Sequence, residues 1–573
     1  MNNEEIAQEL DELAELLEFR GENTFRVRAY RNGARAIRGL PEAVSEILGD
    51  PDRRLSDLPG IGEAIEEKVR TLLTTHHIPQ LEKLRAEIPA GVLHMMRVPG
   101  LGAKKVAALH SALGIANIDQ LRMACEAGKV RELKGFGAKT EQNILQSLSR
   151  TEITERRILW ADAERIVLRV LEVLRKADGV LRVEAAGSFR RGRETVGDID
   201  LLAVADEPGS VMDVLAEQSD VAQVLVRGET KMSVLTAHGL QIDLRVVAHD
   251  SFGAAWQYFT GSKEHNVHLR SLAKQHGLKL DEYGLWNGDK SVAGADEQQI
   301  YKHLGLPWIP PELREDRLEF KSRPLPDLLE LKQLRGDLHM HTTDTDGDHS
   351  LEEMCNAAVE AGYEYIAITD HSRRVTMARG LDPKRLRHQW KAIDKLRERF
   401  DGKLDILKGV ECDILESGGM DLPDDVLAEA DWVLASVHYG QRQSREQITD
   451  RILGAIENRY VSCIAHPTGR LLTRRPAYDV DLDAVFAAAA ANGTFMELNA
   501  NPWRLDLDDV RCMAAKQLGI LVAINTDAHA TVELSNLRYG VLQARRGGLG
   551  AHDVLNTLPV KKLRQRIAQK RSA

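Results

Sequence analysis

The chain has 573 residues, and at about 150 residues per domain this length predicts three or four domains. Its 43% hydrophobic and 29% charged residues are typical of a globular protein, which excludes a single small module and wholesale disorder. The net charge of −10 argues weakly against a protein coated in nucleic acid. The average hides a basic region, however, because residues 21–150 hold 20 Lys and Arg against 15 Asp and Glu.

The sequence shows no sign of membrane insertion or export. It has no run of about 18 apolar residues, and its first 19 residues are acidic and amphipathic. Five cysteines without a Cys-x-x-Cys pair fit reduced thiols better than a disulfide framework. We therefore expect a cytoplasmic protein that has no membrane partner.

Three similar glycine phrases recur in the first quarter of the chain, 35 to 40 residues apart, and each precedes a helix-like stretch. Two glycines allow a tight turn whose N–H groups can approach a phosphate at the positive end of the next helix. One copy could simply end a helix, but three copies in a basic region favour helix-hairpin-helix elements that grip the DNA backbone. The glycine pairs are Gly60 and Gly62, Gly100 and Gly102, and Gly135 and Gly137.

The rest of the chain has two different patterns. From about residue 151 to 320, apolar strands mix with helices, which predicts an α+β fold. A proline-rich segment, residues 306–326, then marks a domain boundary. After it, seven short apolar strands alternate with helical stretches between residues 336 and 527, which predicts a barrel of parallel strands.

Three carboxylates form the first chemical constellation. Asp198 and Asp200 stand two residues apart in a predicted strand and therefore share one face, and Asp243 lies in a later strand. Three acids at one sheet edge repel each other unless divalent cations neutralise them, and such oxygen ligands suit magnesium or manganese. Two ions can activate an attacking hydroxyl and stabilise a departing pyrophosphate. The acids therefore indicate a nucleotidyl-transfer site.

A glycine-serine turn precedes the acids by about ten residues. Gly187 and Ser188 would supply a turn rich in donors for triphosphate oxygens, and Arg191 would add charge-assisted contacts. An isolated Asp-x-Asp pair more often caps a strand, but the combination of this turn with the acids favours a triphosphate site.

Four motifs closely resemble the family X DNA polymerases, the DNA polymerase beta group, and the resemblance covers about residues 1–316. The motifs are Gly187-Ser-Phe-Arg-Arg-Gly192, Gly197-Asp-Ile-Asp200, Ile242-Asp-Leu-Arg245 and Tyr258-Phe-Thr-Gly-Ser262. The resemblance implies that Asp198, Asp200 and Asp243 bind the catalytic metals, and that Asp243 takes or orients the proton of the primer 3′-hydroxyl. It also implies a set of nucleotide-binding residues: Gly187, Ser188 and Arg191 at the phosphates, Gly197 beside the acids, Tyr258, Phe259 and Gly261 at the sugar, and Asn266 and Arg270 at the nascent base pair.

Two lysines each have alternative roles. Lys263 is predicted to contact the phosphate or base of the incoming nucleotide, with a solvated lysine as the alternative. Lys68 stands at the place of the Schiff-base lysine of the family's deoxyribose-phosphate lyase domain. Ala64, Glu66 and Glu67 depart from the cationic pocket that this chemistry requires, so a DNA-phosphate contact or a solvated residue is favoured.

Histidines and acids at successive strand ends form the second constellation. Asp337-Leu-His339-Met-His341 places Asp337, His339 and His341 on one strand face. One histidine at a strand end is usually structural, but six joined by acids indicate a nitrogen and oxygen site for zinc or manganese. The candidate ligands are His339, His341, Asp346, His371, Glu411, His438, His466, Asp527 and His529.

This second pattern resembles the PHP (polymerase and histidinol phosphatase) domain over about residues 333–573. The resemblance implies two or three metal ions, zinc or manganese, and hydrolysis of phosphoesters; the complete ligand set favours a working nuclease. Five arginines near the ligands are further candidates to guide a DNA phosphate: Arg373, Arg374, Arg379, Arg474 and Arg475.

Together these observations predict a multidomain fold with a helical helix-hairpin-helix region, an α+β nucleotidyltransferase palm and thumb, and a distorted (β/α)7 barrel PHP domain. The expected divisions are a helical domain at 1–90, a helix-hairpin-helix domain at 91–150, a palm at 151–250, a nucleotide-selection subdomain at 251–316, a linker at 317–332 and a PHP domain at 333–573.

The arrangement resembles bacterial and archaeal family X polymerases. It predicts a repair enzyme of the bacterial nucleoid that fills short gaps in gapped or primer-template DNA from deoxynucleoside triphosphates, with magnesium or manganese. The second domain is expected to trim 3′ ends and to incise abasic sites. Three alternatives stay open: a template-independent nucleotidyltransferase, a structural PHP platform, and a PHP phosphatase acting on a small metabolite.

Overall fold

The computed structural model describes residues 1–96, 98, 101–154, 157–317, 319–321 and 324–572. It divides into two compact units, Met1–Arg156 and Arg157–Ala573. All five cysteines are buried and unpaired, as the sequence predicts. In the described ranges, no helix combines the length and apolar character that a membrane span requires.

The first unit consists of helices around one apolar core. Its first helix buries Ile6, Leu10, Leu13 and Leu17, whose three- and four-residue spacing places them on one helix face. Asn2 and Glu5 form a capping box at its start. The helices are α1 (Asn3–Phe19), α2 (Thr24–Arg38), α3 (Val44–Gly49), α4 (Glu63–Thr75), α5 (Pro79–Glu87), α6 (Gly91–Met96), α7 (Ala103–Leu113), α8 (Ile118–Glu126) and α9 (Ala138–Thr154).

The second unit begins with the predicted α+β region. The strands are β1 (Ile158–Leu159), β2 (Val180–Ala185), β3 (Thr195–Val196), β4 (Asp198–Ala205), β5 (Val221–Arg227), β6 (Lys231–Thr236), β7 (Gln241–Val246), β8 (Lys279–Asp281), β9 (Gly284–Asn287) and β10 (Lys290–Ala293). The helices are α10 (Trp160–Arg175), α11 (Gly187–Arg190), α12 (Pro208–Ala216), α13 (Phe252–Thr260), α14 (Lys263–Gln275) and α15 (Glu297–His303).

A five-stranded sheet in the order β2-β4-β7-β6-β5 carries the three predicted acids. β4 and β7 run parallel, and Asp200 lies directly opposite Asp243 in their register. Ile199 and Leu201 of β4 face the core under α10 and α12, whereas Leu202 on the other face packs against α13. Because side chains alternate along a strand, this packing turns Asp198 and Asp200 to the α13 face.

The second unit continues into a barrel of seven parallel strands with helices between them. The strands are β11 (Gly336–Asp337), β12 (Tyr365–Ile368), β13 (Asp405–Asp413), β14 (Trp432–Ser436), β15 (Cys463–Ile464), β16 (Phe495–Asn499) and β17 (Val522–Asn525). The helices are α16 (Leu351–Glu360), α17 (Pro383–Arg399), α18 (Asp424–Leu427), α19 (Arg445–Glu457), α20 (Leu482–Asn492), α21 (Asp509–Gln517), α22 (Leu537–Arg546) and α23 (Val560–Ser572).

The barrel is nearly closed. A bridge between Met340 and Ala528 joins the segments that follow the first and last strands, and the His341 N–H donates to the Ala528 carbonyl at 2.8 Å. Leu563 and Ile567 of α23 pack with apolar side chains of several strands in one cluster. The sequence predicts a first strand from Gly336 to His341, but the strand ends at Asp337 because the chain beyond it bridges to the end of β17. The fold class predicted from the sequence is confirmed.

Candidate functional site

The polymerase-like region contains a cleft of about 310 Å³ at the sheet edge. Every residue that lines it was singled out in the sequence: Gly187, Ser188, Arg191, Asp198, Asp200, Tyr258, Phe259, Gly261, Lys263, Asn266 and Arg270. Two residues of the predicted set do not line the cleft. Asp243 lies beside Asp200 in the next strand, and Gly197 lies near the Arg157 guanidinium at the start of β4.

Two of the three carboxylates, Asp198 and Asp200, have raised pKa values. The pKa of Asp200 is raised to about 7 by burial and by the negative charges of Asp198 and Asp243. Burial and the neighbouring Asp243 also raise the pKa of Asp198. The Ser233 hydroxyl donates to Asp243, and the Gln241 amide donates to it at 3.1 Å. Because a divalent cation would remove this repulsion, the donor set fits a site for hard metal ions.

Gly187 allows the turn and the carboxylate to approach closely. Its φ of +61° lies in the left-handed region, and a Cβ at this position would lie 2.1 Å from Asp200 Oδ2. The Ala186 N–H donates to the Asp200 carbonyl at 2.8 Å, which fixes the turn against β4. Only glycine fits here without displacing Asp200.

Arg191 is fixed by two contacts at the side of the cleft. Its Nε lies 3.1 Å from Glu315 Oε1, and its Nη1 donates to the Thr260 carbonyl at 2.5 Å. The neighbouring Arg190 instead forms a bidentate pair with Glu297, both distances 2.9 Å. The two consecutive arginines therefore have different partners, and of the two it is Arg191 that lines the cleft.

The predicted sugar and base contacts lie on α13, α14 and the turn between them. Tyr258 and Phe259 pack edge to face at 5.1 Å, and Gly261 has a φ of +70°. The Asn266 amide donates to the Tyr258 carbonyl at 2.7 Å and accepts from Gln257, also at 2.7 Å. Asn266 therefore shapes the pocket by holding the turn, a contact that the sequence did not indicate.

The glycine phrases lie before α4, α7 and α9, as predicted. Between each pair of glycines stands a buried apolar residue, Ile61, Leu101 or Phe136, which anchors the turn in the core. The glycines of the described residues are exposed: Gly60, Gly62, Gly102, Gly135 and Gly137. Gly100 lies outside the described residues. The exposed backbone of these turns is available to a DNA phosphate.

Lys68 is half-buried on α4, with its Nζ 5.9 Å from the centre of the Tyr30 ring. The nearby Glu66 is occupied, because its carboxylate accepts from the Ser56 N–H at 2.8 Å and pairs with Arg70 at 2.9 Å.

The barrel brings all nine predicted ligands together at the carboxyl ends of its strands. Three groups have ligand atoms within 4.8 Å of one another: His341, Asp346, His371 and His529; His339, His341 and Asp527; and His371, Glu411 and His438. The ninth residue, His466, lies 2.9 Å from Glu411 through its Nε2. The groups share His341 and His371, which is the arrangement expected where neighbouring metal ions share a site.

Unpaired buried atoms support this interpretation. Within the described residues, buried ring nitrogens without a hydrogen-bond partner include His339 Nε2, His341 Nδ1 and His466 Nδ1. Glu411 Oε2 lies 2.8 Å from His371 Nδ1. Burial alone would lower the pKa of His371, but Glu411 and Asp346 raise it to about 10. Buried nitrogen and carboxylate donors in one cluster, several of the nitrogens without a partner, fit zinc or manganese.

Two acids that the sequence pattern did not indicate orient the ligands. Glu497 accepts from His339 Nδ1 at 2.8 Å, which leaves Nε2 free for a metal, and Asp413 lies 3.2 Å from His438 Nδ1. Such carboxylates fix the tautomer and ring orientation of metal-binding histidines. A lone glutamate inside the apolar strand β16 was the available signal for Glu497.

The five arginines near the ligands have partners within the barrel. Arg373 pairs with Asp421 at 3.2 Å, Arg374 with Asp413 at 2.9 Å, and Arg474 stacks on Trp503 at 3.4 Å. Arg379 donates to the Thr345 carbonyl and Arg475 to the Gly469 carbonyl. A further arginine, Arg504, lies 3.1 Å from the candidate ligand Asp527 and was not singled out by the sequence.

The fold and its two sites define a DNA polymerase beta-like chain joined to a PHP barrel, and family models match both parts. A helix-hairpin-helix domain matches residues 1–78, and a SAM-like helix-hairpin-helix tandem matches residues 92–150. The DNA polymerase beta palm matches residues 157–265 and its thumb residues 255–315. The PHP domain matches residues 337–501. DNA binding and divalent metal ions are implied by these domains.

Similar proteins cover the whole chain or one of its parts. The DNA polymerase/3′-5′ exonuclease PolX of Bacillus subtilis (strain 168) is 39% identical over 566 residues, 98% of each chain. Rat DNA polymerase lambda is 27% identical over 55% of this chain and 56% of its own. A probable phosphatase of Thermoanaerobacter sp. (strain X514) is 29% identical over 41% of this chain and 95% of its own. The chain therefore belongs to the PolX family, which confirms the resemblance seen in the sequence.

Proposed function

We propose that the chain is a template-directed DNA polymerase that fills short gaps during DNA repair and trims 3′ ends with its PHP barrel. The observation that carries the polymerase proposal is the 310 Å³ cleft, which brings Asp198, Asp200 and Arg191 together. The Bacillus subtilis relative, a DNA polymerase/3′-5′ exonuclease, supports both halves.

In the polymerase cleft, the three carboxylates would hold magnesium or manganese, which neutralises the triphosphate and activates the attacking hydroxyl. Asp243 accepts hydrogen bonds from Ser233 and Gln241 beside Asp200, and in this proposal it would accept or orient the proton of the primer 3′-hydroxyl. Ser188 and Arg191 lie on the same turn and would bind the β- and γ-phosphates of the deoxynucleoside triphosphate.

The opposite wall of the cleft would select the sugar and the base. Tyr258, Phe259 and Gly261 would form the edge that meets the sugar and would disfavour a ribose 2′-hydroxyl. Lys263 and Arg270 line the same cleft and would contact the nucleotide and the nascent pair, whereas Asn266 holds the Tyr258 carbonyl.

In the barrel, the nine ligands would hold two or three ions of zinc or manganese, which supply the hydroxide for phosphodiester hydrolysis. Glu497 and Asp413 would keep His339 and His438 in the metal-binding tautomer. The substrate we propose is a DNA 3′ end, with abasic sites as a further substrate.

The exposed glycine turns of the first unit would bind the phosphodiester backbone of the DNA, with Lys68 as a phosphate contact rather than a lyase nucleophile. We assign the domains to the divisions predicted from the sequence: 1–90, 91–150, 151–250, 251–316, 317–332 and 333–573. A DNA substrate would bring the enzyme to the bacterial nucleoid.

A series of gap lengths tests this proposal. Single-nucleotide insertion would be measured on substrates with gaps of one, five and twenty nucleotides, each with a downstream 5′-phosphate, and on an open primer-template. We expect kcat/KM to be highest on the short gaps and Asp243→Ala to abolish insertion on all of them. Equal insertion without a template would contradict the polymerase assignment and favour a template-independent transferase.

The barrel requires a separate test. The protein would be offered a single-stranded DNA 3′ end and p-nitrophenyl phosphate, each with manganese. We expect shortening of the DNA that His339→Ala and His341→Ala abolish. Hydrolysis of the small phosphomonoester alone would instead favour a phosphatase, the activity named for the Thermoanaerobacter relative.

A further inference from the structure

Helix α22 of the barrel lies directly against the nucleotide-binding turn of the polymerase region. Gly192, at the end of that turn, has a φ of +66°, and a Cβ there would lie 2.6 Å from Leu542 Cγ of α22. Four residues further along the helix, the Arg546 side chain is 2% exposed, and its Nη1 donates to the Arg191 carbonyl at 2.7 Å. A barrel helix therefore holds the backbone of a residue that lines the polymerase cleft.

Arg546 also contacts the carboxylate that orients the Arg191 side chain. Its Nη2 lies 3.0 Å from Glu315 Oε1, the same oxygen that pairs with Arg191 Nε at 3.1 Å. Arg193 approaches the other oxygen of Glu315 at 3.7 Å. Although burial opposes ionisation, Arg546 and Arg191 lower the pKa of Glu315 to about 2. The carboxylate is thus charged and shared between one arginine of the barrel and two of the palm.

The position of Arg546 is itself fixed within the barrel. Asp509, at the start of α21, lies 2.6 Å from Arg546 Nη2 and 3.1 Å from Arg317. A buried charge-assisted network of this kind has one preferred geometry, because loss of any partner leaves a buried charge uncompensated.

We propose that Arg546 of the PHP barrel is a positioning residue for the polymerase reaction. It holds the Arg191 backbone and the Glu315 carboxylate that orients the Arg191 side chain, and so keeps this turn ready for the incoming triphosphate. The inference rests on the proposed role of Arg191 as a triphosphate ligand. It assigns the barrel a function in nucleotide insertion that is separate from its own metal site.

Loss of Arg546 would weaken triphosphate binding in two ways. The Arg191 carbonyl would lose its buried donor, so the turn would lose its fixed position. Glu315 would lose a cationic partner and would pair more strongly with Arg191, in competition with the triphosphate. Both effects act on the KM for the nucleotide more than on kcat.

The test is steady-state insertion by the full-length chain on a one-nucleotide gap, with Arg546→Met compared against Arg545→Met. Arg545 lies on the same helix and pairs with Glu312 at 2.8 Å, and it donates to the Leu329 carbonyl rather than to the Arg191 turn. We expect Arg546→Met to raise the nucleotide KM about 10-fold, the loss of one charge-assisted hydrogen bond, with kcat within about 3-fold. Arg545→Met should leave KM unchanged; equal KM values for both variants and the wild type would overturn the inference.

A double-mutant cycle separates positioning from a general structural role. If Arg546 acts mainly through the Arg191 side chain, Arg546→Met should raise the KM of Arg191→Ala much less than it raises the KM of the wild type, whereas fully additive effects would contradict the inference. Shortening of a DNA 3′ end by the same preparations reports that the barrel is folded, and we expect it to be unchanged in Arg546→Met. If Arg546→Met does not fold, Arg546→Lys is carried through the same cycle, with a smaller rise in KM expected.

Failure of the proposed function would look different. A normal KM in Arg191→Ala would show that Arg191 does not bind the triphosphate, so the proposed role of Arg191 would be wrong. A raised KM in Arg191→Ala with a normal KM in Arg546→Met would refute only the role of Arg546.

Discussion

Gly187→Ala is the substitution whose effect follows most directly from the geometry of the polymerase site. The new Cβ would lie 2.1 Å from Asp200 Oδ2, whereas real Cβ contacts essentially never fall below 3.0 Å. The Asp200 carboxylate must therefore move by about 1 Å, and a misplacement of that size costs roughly 100-fold in rate. The left-handed backbone, with φ of +61°, adds about 1 kcal/mol of destabilisation.

The control separates the two effects. Gly179 also has a positive φ, +75°, but a Cβ there would meet only Asp206 at an ordinary 3.5 Å. We expect Gly179→Ala to lower stability by about 1 kcal/mol and to leave kcat unchanged. Gly187→Ala should show at least this loss of stability and, in single-turnover insertion on gapped DNA, an insertion rate about 100-fold lower. Wild-type insertion by Gly187→Ala would refute the close packing of the turn on Asp200.

Three further outcomes are expected. His341→Ala should abolish shortening of a labelled 3′ end and leave the kcat of insertion within about 2-fold, as assayed on one gapped substrate; loss of both activities would contradict separate sites. Glu497→Gln should weaken zinc or manganese binding by about 10- to 100-fold in titration calorimetry, because His339 loses the carboxylate on Nδ1; unchanged affinity would show that Glu497 does not orient the ligand. Burial raises the pKa of Glu319 from 4.5 to about 7, because the folded protein favours the protonated carboxyl. The stabilisation by this protonated group is fully present below pH 4.5. The free energy of unfolding should therefore fall by about 3 kcal/mol as the pH rises from 4.5 to 7. Urea unfolding at pH 5 and pH 8 should show this decline, and Glu319→Gln should remove most of it; the same decline in both proteins would assign it to other groups.

Most of the candidate site residues near strand ends could be predicted from the sequence. Asp198 and Asp200 share a face because strand side chains alternate, and this spacing survives in β4 as predicted. The nine barrel ligands could also be found, because each lies near or after the carboxyl end of a short apolar strand and all parallel strands present these ends together. The local sequence pattern and the fold class are enough to predict such residues.

The partners of these residues could not be predicted in the same way. Glu497 and Asp413 act on histidines 158 and 25 residues away in the chain, so no local spacing connects them. Arg546 reaches Arg191 across 355 residues. The sequence also offered Arg374 as a DNA contact, but the structure pairs it with the buried Asp413, a partner that only the packed barrel reveals.

The most direct test of the central claim, two opposing activities in one chain, uses an end-labelled primer beside a one-nucleotide gap with a downstream 5′-phosphate. The primer is incubated with manganese, with and without deoxynucleoside triphosphates. We expect extension when nucleotides are present and shortening when they are absent. Asp243→Ala should lose only the extension and His341→Ala only the shortening. Loss of both activities in either variant, or extension without any shortening by the wild type, would contradict the claim.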